Sequence, residues 1–402
     1  MKNIFRQQSL WFSVLSVTAS ALNFLFYPVL AHSLDLASFG DVQVGVSFVM
    51  QAAALFTSLN LVALFLSAHK STSIELVTRL ERIIISISII AAVIVAVCVA
   101  PLSRTLQLHD ASLLYLLAII FVFNVPAGTW IGTLQGEGKF IQSGLIAVTA
   151  SLTKIILAIL LISLGFGAHG AMLGILIGTI VIIPLVYLAH SSKRLNIINT
   201  FRPARLSDFR ALLASKPTLY TLVAFFFLAL LSTFDIIAAK VLLSPTQAGI
   251  YAQLSTVAKI PYFALIPLAT IGFERFIKKA THEGRFMLLF CGLLAAASSV
   301  LLLAEPFVLR VFFRLDTVQY SQLAALFLVV AFTAYTLSTI VTYSLISRGS
   351  LKKALIPLLC GFVLTPILLA FGSSLEGIAL NYMLSQIALL VILVILRYNK
   401  AS

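Results

Sequence analysis

Charge is scarce in this chain: Asp, Glu, Lys and Arg together make up 10% of its 402 residues, whereas 61% are apolar. Soluble domains carry about a quarter charged residues. Soluble catalysts, nucleic-acid binders and secreted disulfide modules are therefore excluded, and a mean hydropathy of +1.10 marks an integral membrane protein. Cysteine is equally sparse. Cys98, Cys291 and Cys360 lie inside apolar runs without a CxxC pair and read as small core hydrophobes. Signature chemistry is missing too, with no GxxxxGK[ST] phosphate loop, no HExxH and no GxSxG, and the six histidines lack ligand spacing. The chain is expected to have no ATPase of its own, no metal, no cofactor and no enzymatic activity.

Long apolar runs, by contrast, are abundant. A bilayer-spanning helix needs about 20 apolar residues, and twelve such stretches are found, near 9–31, 42–67, 83–101, 112–134, 144–165, 170–189, 218–241, 249–272, 286–305, 322–346, 352–371 and 377–396. The first follows Met1–Arg6 without a small-residue cleavage site and is read as a retained span. Twelve spans place both termini on one side. Of 27 Lys and Arg, 21 then fall on that side, three (Arg104, Arg310, Arg314) on the other, and Lys154, Lys240 and Lys259 within spans. The positive-inside rule assigns the richer side, with both termini, to the cytoplasm.

The chain divides near its middle, giving bundles over 1–190 and 218–402 and a linker over 191–217. In the linker, Phe201, Leu206, Phe209, Leu212 and Leu213 alternate with Arg202, Arg205, Arg210 and Lys216, the pattern of a basic amphipathic helix on anionic inner-leaflet lipids. An ordinary solvated linker obeying the positive-inside rule fits the same residues. Three pairs of loops repeat at nearly one spacing: Gly40 with Gly249, Gly138 with Gly349, and Gly170 with Gly377. Six spans per repeat make the repeats parallel, related by an axis along the membrane normal. The expected fold is all-α and polytopic, with twelve transmembrane helices in two pseudo-symmetric six-helix bundles around a central cavity.

Three stretches carry a family resemblance: Leu30-Ala-His-Ser-Leu-Asp-Leu-Ala-Ser-Phe-Gly-Asp-Val-Gln-Val, Asp235-Ile-Ile-Ala-Ala-Lys-Val-Leu-Leu-Ser-Pro-Thr-Gln-Ala-Gly-Ile-Tyr, and Leu134-Gln-Gly-Glu-Gly-Lys-Phe. With them, nearly the whole chain resembles polysaccharide flippases of the multidrug/oligosaccharidyl-lipid/polysaccharide exporter superfamily. His32 departs from the pattern, since many relatives carry Arg there. The resemblance implies alternating-access, ion-coupled transport of undecaprenyl-diphosphate-linked oligosaccharide, for O-antigen or a related surface polysaccharide, across the bacterial inner membrane. It also implies a polysaccharide polymerase and a chain-length regulator as partners in the same pathway, and no nucleic acid. The alternatives are a cation-coupled multidrug exporter of the same superfamily, a lipid II flippase, and, from a different class, a membrane-embedded glycosyltransferase or polymerase. A drug exporter would want an acid in the first bundle, a lipid II flippase commonly has fourteen spans, and a glycosyltransferase would need larger outer loops.

Charged groups at bilayer depth need a partner or a wet cavity. At a rise of about 1.5 Å per residue, Lys154 in span five and Lys259 in span eight sit near the midplane. They are read either as cavity cations for the lipid diphosphate or as snorkelling or paired structural groups. Asp235 is read as the one intramembrane acid, either pairing with Lys259 or binding a coupling proton, and Lys240 is expected to face the outer interface. Asn23, Tyr27, Gln51, Asn124, Gln253, Asn381 and Gln386 could line a sugar path or bond between helices. Pro261 and Pro267, just past Lys259, mark gating or static kinks. Gly170, Gly174 and Gly178, like Gly128, Gly132 and Gly136, are spaced for close helix packing.

Overall fold

The computed structural model describes residues 2–51, 73–136, 139–189, 204–205, 207–208, 216–278 and 283–399. Helices are α1 Lys2–Ser33, α2 (residues 36–51), α3 Ser73–Val97, α4 Val99–Thr105, α5 Leu113–Gly136, α6 Phe140–Leu161 and α7 Gly167–Ala189. They continue with α8 Lys216–Leu231, α9 Phe234–Leu242, α10 Pro245–Ala258, α11 Ile260–Lys278, α12 Glu283–Phe313, α13 Gln322–Ser347, α14 Leu351–Ala370 and α15 Leu375–Tyr398. Where they are described, all the apolar stretches are helical, the second being described only to residue 51, and no strand occurs among the described residues. By length and composition alone, six helical stretches can cross a bilayer, or eight if each of two bent pairs is one span. One of the six, Phe140–Ala189, has 50 residues. It is twice as long as one crossing requires, and it doubles back through the π-turn Ile162–Phe166 as α6 and α7.

Three of the expected spans are broken. The third bends by 75° between α3 and α4, at Cys98. The seventh bends by 41° between α8 and α9, at Ser232–Thr233. In hydrocarbon the freed backbone groups must be satisfied within the protein. Ser232 N–H turns back to Ala229, and tyrosine hydroxyls take up the carbonyls around the break: Tyr335 donates to Leu228 at 3.0 Å and Tyr382 to Leu231 at 2.8 Å. The eighth stops at Ala258 and restarts at Ile260, with Lys259 in the gap. Pro261 falls in the first turn of α11, where a missing N–H breaks no helical bond. Helix α11 runs through position 267 without interruption.

The chain forms two compact units. The first comprises Met1–Val29 and Gly45–Phe226, the second Leu30–Val44 and Phe227–Ser402. In the first, Trp130, Leu134, Ile146 and Val186 build an apolar core between α5, α6 and α7. Helix α6 packs on α7 along the predicted glycine stripe. A Cβ at Gly174 would stand 2.8 Å from the Lys154 carbonyl, and one at Gly178 2.9 Å from the Lys154 Cβ. In the second unit α13 is central, with 72% of its most apolar window buried against 28% for α12. Glu283, opening α12, accepts from Ser344, from Arg348 at 2.5 and 3.0 Å and from Arg397 at 3.0 Å, fastening one end of α12 to the ends of α13 and α15. The expected amphipathic linker helix lies largely outside the described residues. Of its described residues, Ala204 N–H donates to Ser86, and Asp208 is buried beside Arg79 at 3.9 Å.

Residues 30–44 lie in the first half of the sequence yet pack in the second unit. There the repeat-related loops meet at their equivalent glycines: a Cβ at Gly40 would be 3.4 Å from the Gly249 Cα, and one at Gly249 2.0 Å from the Leu36 carbonyl oxygen. Asp35 caps the helix that follows, accepting from Ala37 and Ser38 N–H at 2.9 Å each. Phe39 packs edge-on against Phe313, and Gln43 donates to Thr256 at 3.2 Å.

Candidate functional site

Three lysines lie within the spans, and the structure gives each a different setting. Lys240 is fully buried and donates to the equally buried Asp41 at 2.5 Å. This corrects one expectation: Lys240 faces the protein interior and not the outer interface. Asp41 on α2 joins Asp235 as a second buried acid. The apolar stretch used to set that span begins one residue after Asp41, and its partner lies 199 positions away, so no local pattern joins them.

Lys259 sits in the break between α10 and α11. Its ammonium lies 4.0 Å from Asp235 Oδ1 and 4.8 Å from the centroid of the Phe332 ring. Asp235, in the first turn of α9, accepts from Ser255 at 2.6 Å through its other oxygen. The break places the ammonium where α10 ends, so one acid, one cation and a hydroxyl lie together in the buried interior of the second unit. Both members of the pair are at most 6% exposed.

Lys154 differs from both. It stands on α6, where Gly174 and Gly178 of α7 let the two backbones approach. Its ammonium donates to the amide oxygen of Asn23 on α1 at 2.5 Å and lies 4.5 Å from the centroid of the Phe26 ring. Among the described residues no carboxylate stands within ion-pair distance of it. Asn23 is exposed and Lys154 half-buried. Two of the three membrane lysines are thus neutralised by aspartate, and one is held by a neutral oxygen and an aromatic face.

The other residues singled out in the sequence do not converge on one point. Gln51 is buried at the end of the described part of α2, and Asn124 on α5 has its amide nitrogen buried without a hydrogen-bond partner among the described residues. Gln253 is buried on α10 with its amide oxygen likewise unpartnered, while Asn381 donates to the Leu368 carbonyl at 2.9 Å. Glu305 is not among the residues singled out in the sequence. It is buried on α12 and accepts from Tyr320 at 3.1 Å. The described residues hold no cluster of His, Cys, Asp or Glu able to bind a metal ion.

Several solved structures share the fold. A eukaryotic MATE transporter, AtDTX14, is 15% identical with a TM-score of 0.64, the match covering 97% of this chain and 96% of that one. The Vibrio cholerae MATE transporter VcmN, in a mutant form, is 16% identical with a TM-score of 0.63 over 98% and 95% of the two chains. A MOP superfamily transporter from Pyrococcus furiosus is 16% identical, with a TM-score of 0.62 over 97% and 94%; its reported reverse polarity of the binding pocket suggests a different function for that protein. No curated protein matches the chain. The family described as polysaccharide biosynthesis proteins matches residues 5–273, more than half of the sequence. The family match decides the membership: the chain belongs to the polysaccharide biosynthesis protein family, and its fold is the multi-pass membrane fold seen in these MATE and MOP superfamily structures.

Proposed function

We propose that this transporter is a flippase for undecaprenyl-diphosphate-linked oligosaccharides destined for O-antigen or a related surface polysaccharide. In this reading it resides in a bacterial inner membrane with both termini cytoplasmic, and works by ion-coupled alternating access. The observation that carries the reading is Lys154. A cation at bilayer depth needs a partner or a wet cavity. Lys154 has no carboxylate beside it among the described residues and can take an anion, and the diphosphate of a polyprenyl carrier is such an anion. The ammonium supplies a strongly hydrated point charge whose spare donors replace water around phosphate oxygens. The oligosaccharide then follows its carrier head, so selectivity lies more in the diphosphate than in the sugar.

Multidrug export is the rival reading, favoured by the MATE folds to which the chain is similar. A cationic drug would want a carboxylate where Lys154 stands, and the two buried Asp–Lys pairs of the second unit are already neutral. Deletion of the gene separates the readings. A flippase deletion leaves undecaprenyl-linked repeat units on the cytoplasmic face and the surface polysaccharide absent. Normal polysaccharide with raised drug sensitivity, in a strain without a second flippase, would instead establish the exporter.

A further inference from the structure

Lys154 donates to the Asn23 amide oxygen at 2.5 Å, its one hydrogen bond among the described residues, and the choice of an amide there has a chemical consequence. An amide oxygen holds an ammonium in place without cancelling its charge. The rest of the setting fixes the same group: Phe26 lies beneath it, and α7 presses against its backbone at Gly174 and Gly178. Aspartate is isosteric with asparagine and would form an ion pair at the same distance, as Asp41 does with Lys240. Asparagine leaves the positive charge unanswered beside an exposed side chain, on a lysine that has no carboxylate within ion-pair distance among the described residues. A phosphate oxygen forms a charge-assisted bond about twice as strong as that of a neutral amide. It can therefore take over the ammonium from Asn23, and Asn23 can take it back when the ligand leaves.

We propose that Asn23 sets the charge selectivity of the Lys154 site: it is a positioning residue that holds the ammonium for a polyprenyl diphosphate and, by being neutral, keeps the site open to anions. The proposal rests on the diphosphate reading of Lys154 and specifies what protects it.

A purely structural Asn23 makes the opposite prediction. If the bond only fastens α1 to α6, Asn23→Asp should be the mildest substitution, since it strengthens the link, and Asn23→Ala should be the harsher one. If Asn23 sets charge selectivity, the order reverses. The test measures binding of undecaprenyl diphosphate to the purified full-length protein, alongside thermal midpoint in detergent and membrane abundance. Asn23→Asp should keep abundance and midpoint but lose affinity about tenfold or more, and Asn23→Ala, which loses the positioning bond without adding a negative charge, should lose clearly less affinity than Asn23→Asp. Should Asn23→Asp fail to accumulate, the charge can be added after folding. Asn23→Cys, in a chain with Cys98, Cys291 and Cys360 replaced by Ala, is treated with a sulfonate-bearing or a neutral methyl thiosulfonate. Only the sulfonate should abolish binding. Parent-like affinity in Asn23→Asp or in the sulfonate adduct would overturn the inference, as would equal losses in Asn23→Ala and Asn23→Asp. Lys154→Gln separates the two levels. If it binds undecaprenyl diphosphate like the parent, the diphosphate reading itself fails; if it loses binding while Asn23→Asp retains it, only the role of Asn23 fails.

Discussion

Lys240 and Asp41, 199 residues apart in sequence, meet at 2.5 Å with both side chains at most 1% exposed. The pair ties the segment 30–44 to α9 within the second unit. Breaking a buried ion pair from one side strands a charge, at about 3 to 5 kcal/mol. Lys240→Met should therefore sharply lower the thermal midpoint and the abundance of the protein, and the double change with Asp41→Asn should recover much of the loss. Parent-like stability in Lys240→Met would show that the pair bears no load.

The Asp235–Lys259 pair calls for a different result. Its separation is 4.0 Å, and Asp235 keeps a bond from Ser255. Lys259→Gln leaves the carboxylate with that hydroxyl and should destabilise, whereas Lys259→Gln with Asp235→Asn should regain normal abundance in a membrane immunoblot. If the double variant also regains export, the pair is structural. Recovered abundance without export assigns it a role in coupling.

Gly178 seats Lys154. An Ala Cβ at this position would meet the Lys154 Cβ at 2.9 Å, so Gly178→Ala should overpack the α6–α7 contact, cost about 1 to 3 kcal/mol and displace the cation. The control is Gly292→Ala, where nothing lies within 4 Å of the added carbon. Thermal melts of both in detergent check the contrast, and equal melting would contradict the close approach.

Much of this arrangement is legible in the sequence. The apolar runs and the glycine spacing of α7 follow from composition and helical periodicity, because each is a local property. What escaped is non-local. The neutralisation of Lys240 needs a residue from the first half of the chain, and the satisfaction of the span-seven break needs Tyr335 and Tyr382 from two distant helices. The break at Lys259 is only half-written: Pro261 announces it, but two residues late. Helical-wheel reasoning placed Lys240 at the outer interface because it assumes a continuous helix and a lipid-facing remainder, and neither holds where spans bend around a buried pair.

Asp35 provides a pH-dependent cap outside the spans. The Ser38 N–H, opposed by partial desolvation and supported by the Ser38 hydroxyl and Ala37 N–H, holds its carboxyl below the ordinary carboxylate range. The ionised cap therefore stabilises the helix start at neutral pH, and that contribution is lost as pH falls through the lowered value. Asp35→Ala should cost about 0.5 to 2 kcal/mol at pH 7 and nothing in strong acid. Asp35→Asn should keep the cap while flattening its pH dependence, and melts taken across the acid range compare the three.

Reconstitution offers the sharpest test of Lys154 as the diphosphate cation. Proteoliposomes carrying a fluorescent undecaprenyl-diphosphate oligosaccharide report flipping of the labelled lipid by parent, Lys154→Arg and Lys154→Gln at matched protein density. Lys154→Arg, which keeps the charge, should retain most of the rate; Lys154→Gln, which keeps a polar group but removes the charge, should lose at least about tenfold. Flipping by Lys154→Gln at the parent rate would contradict the assignment.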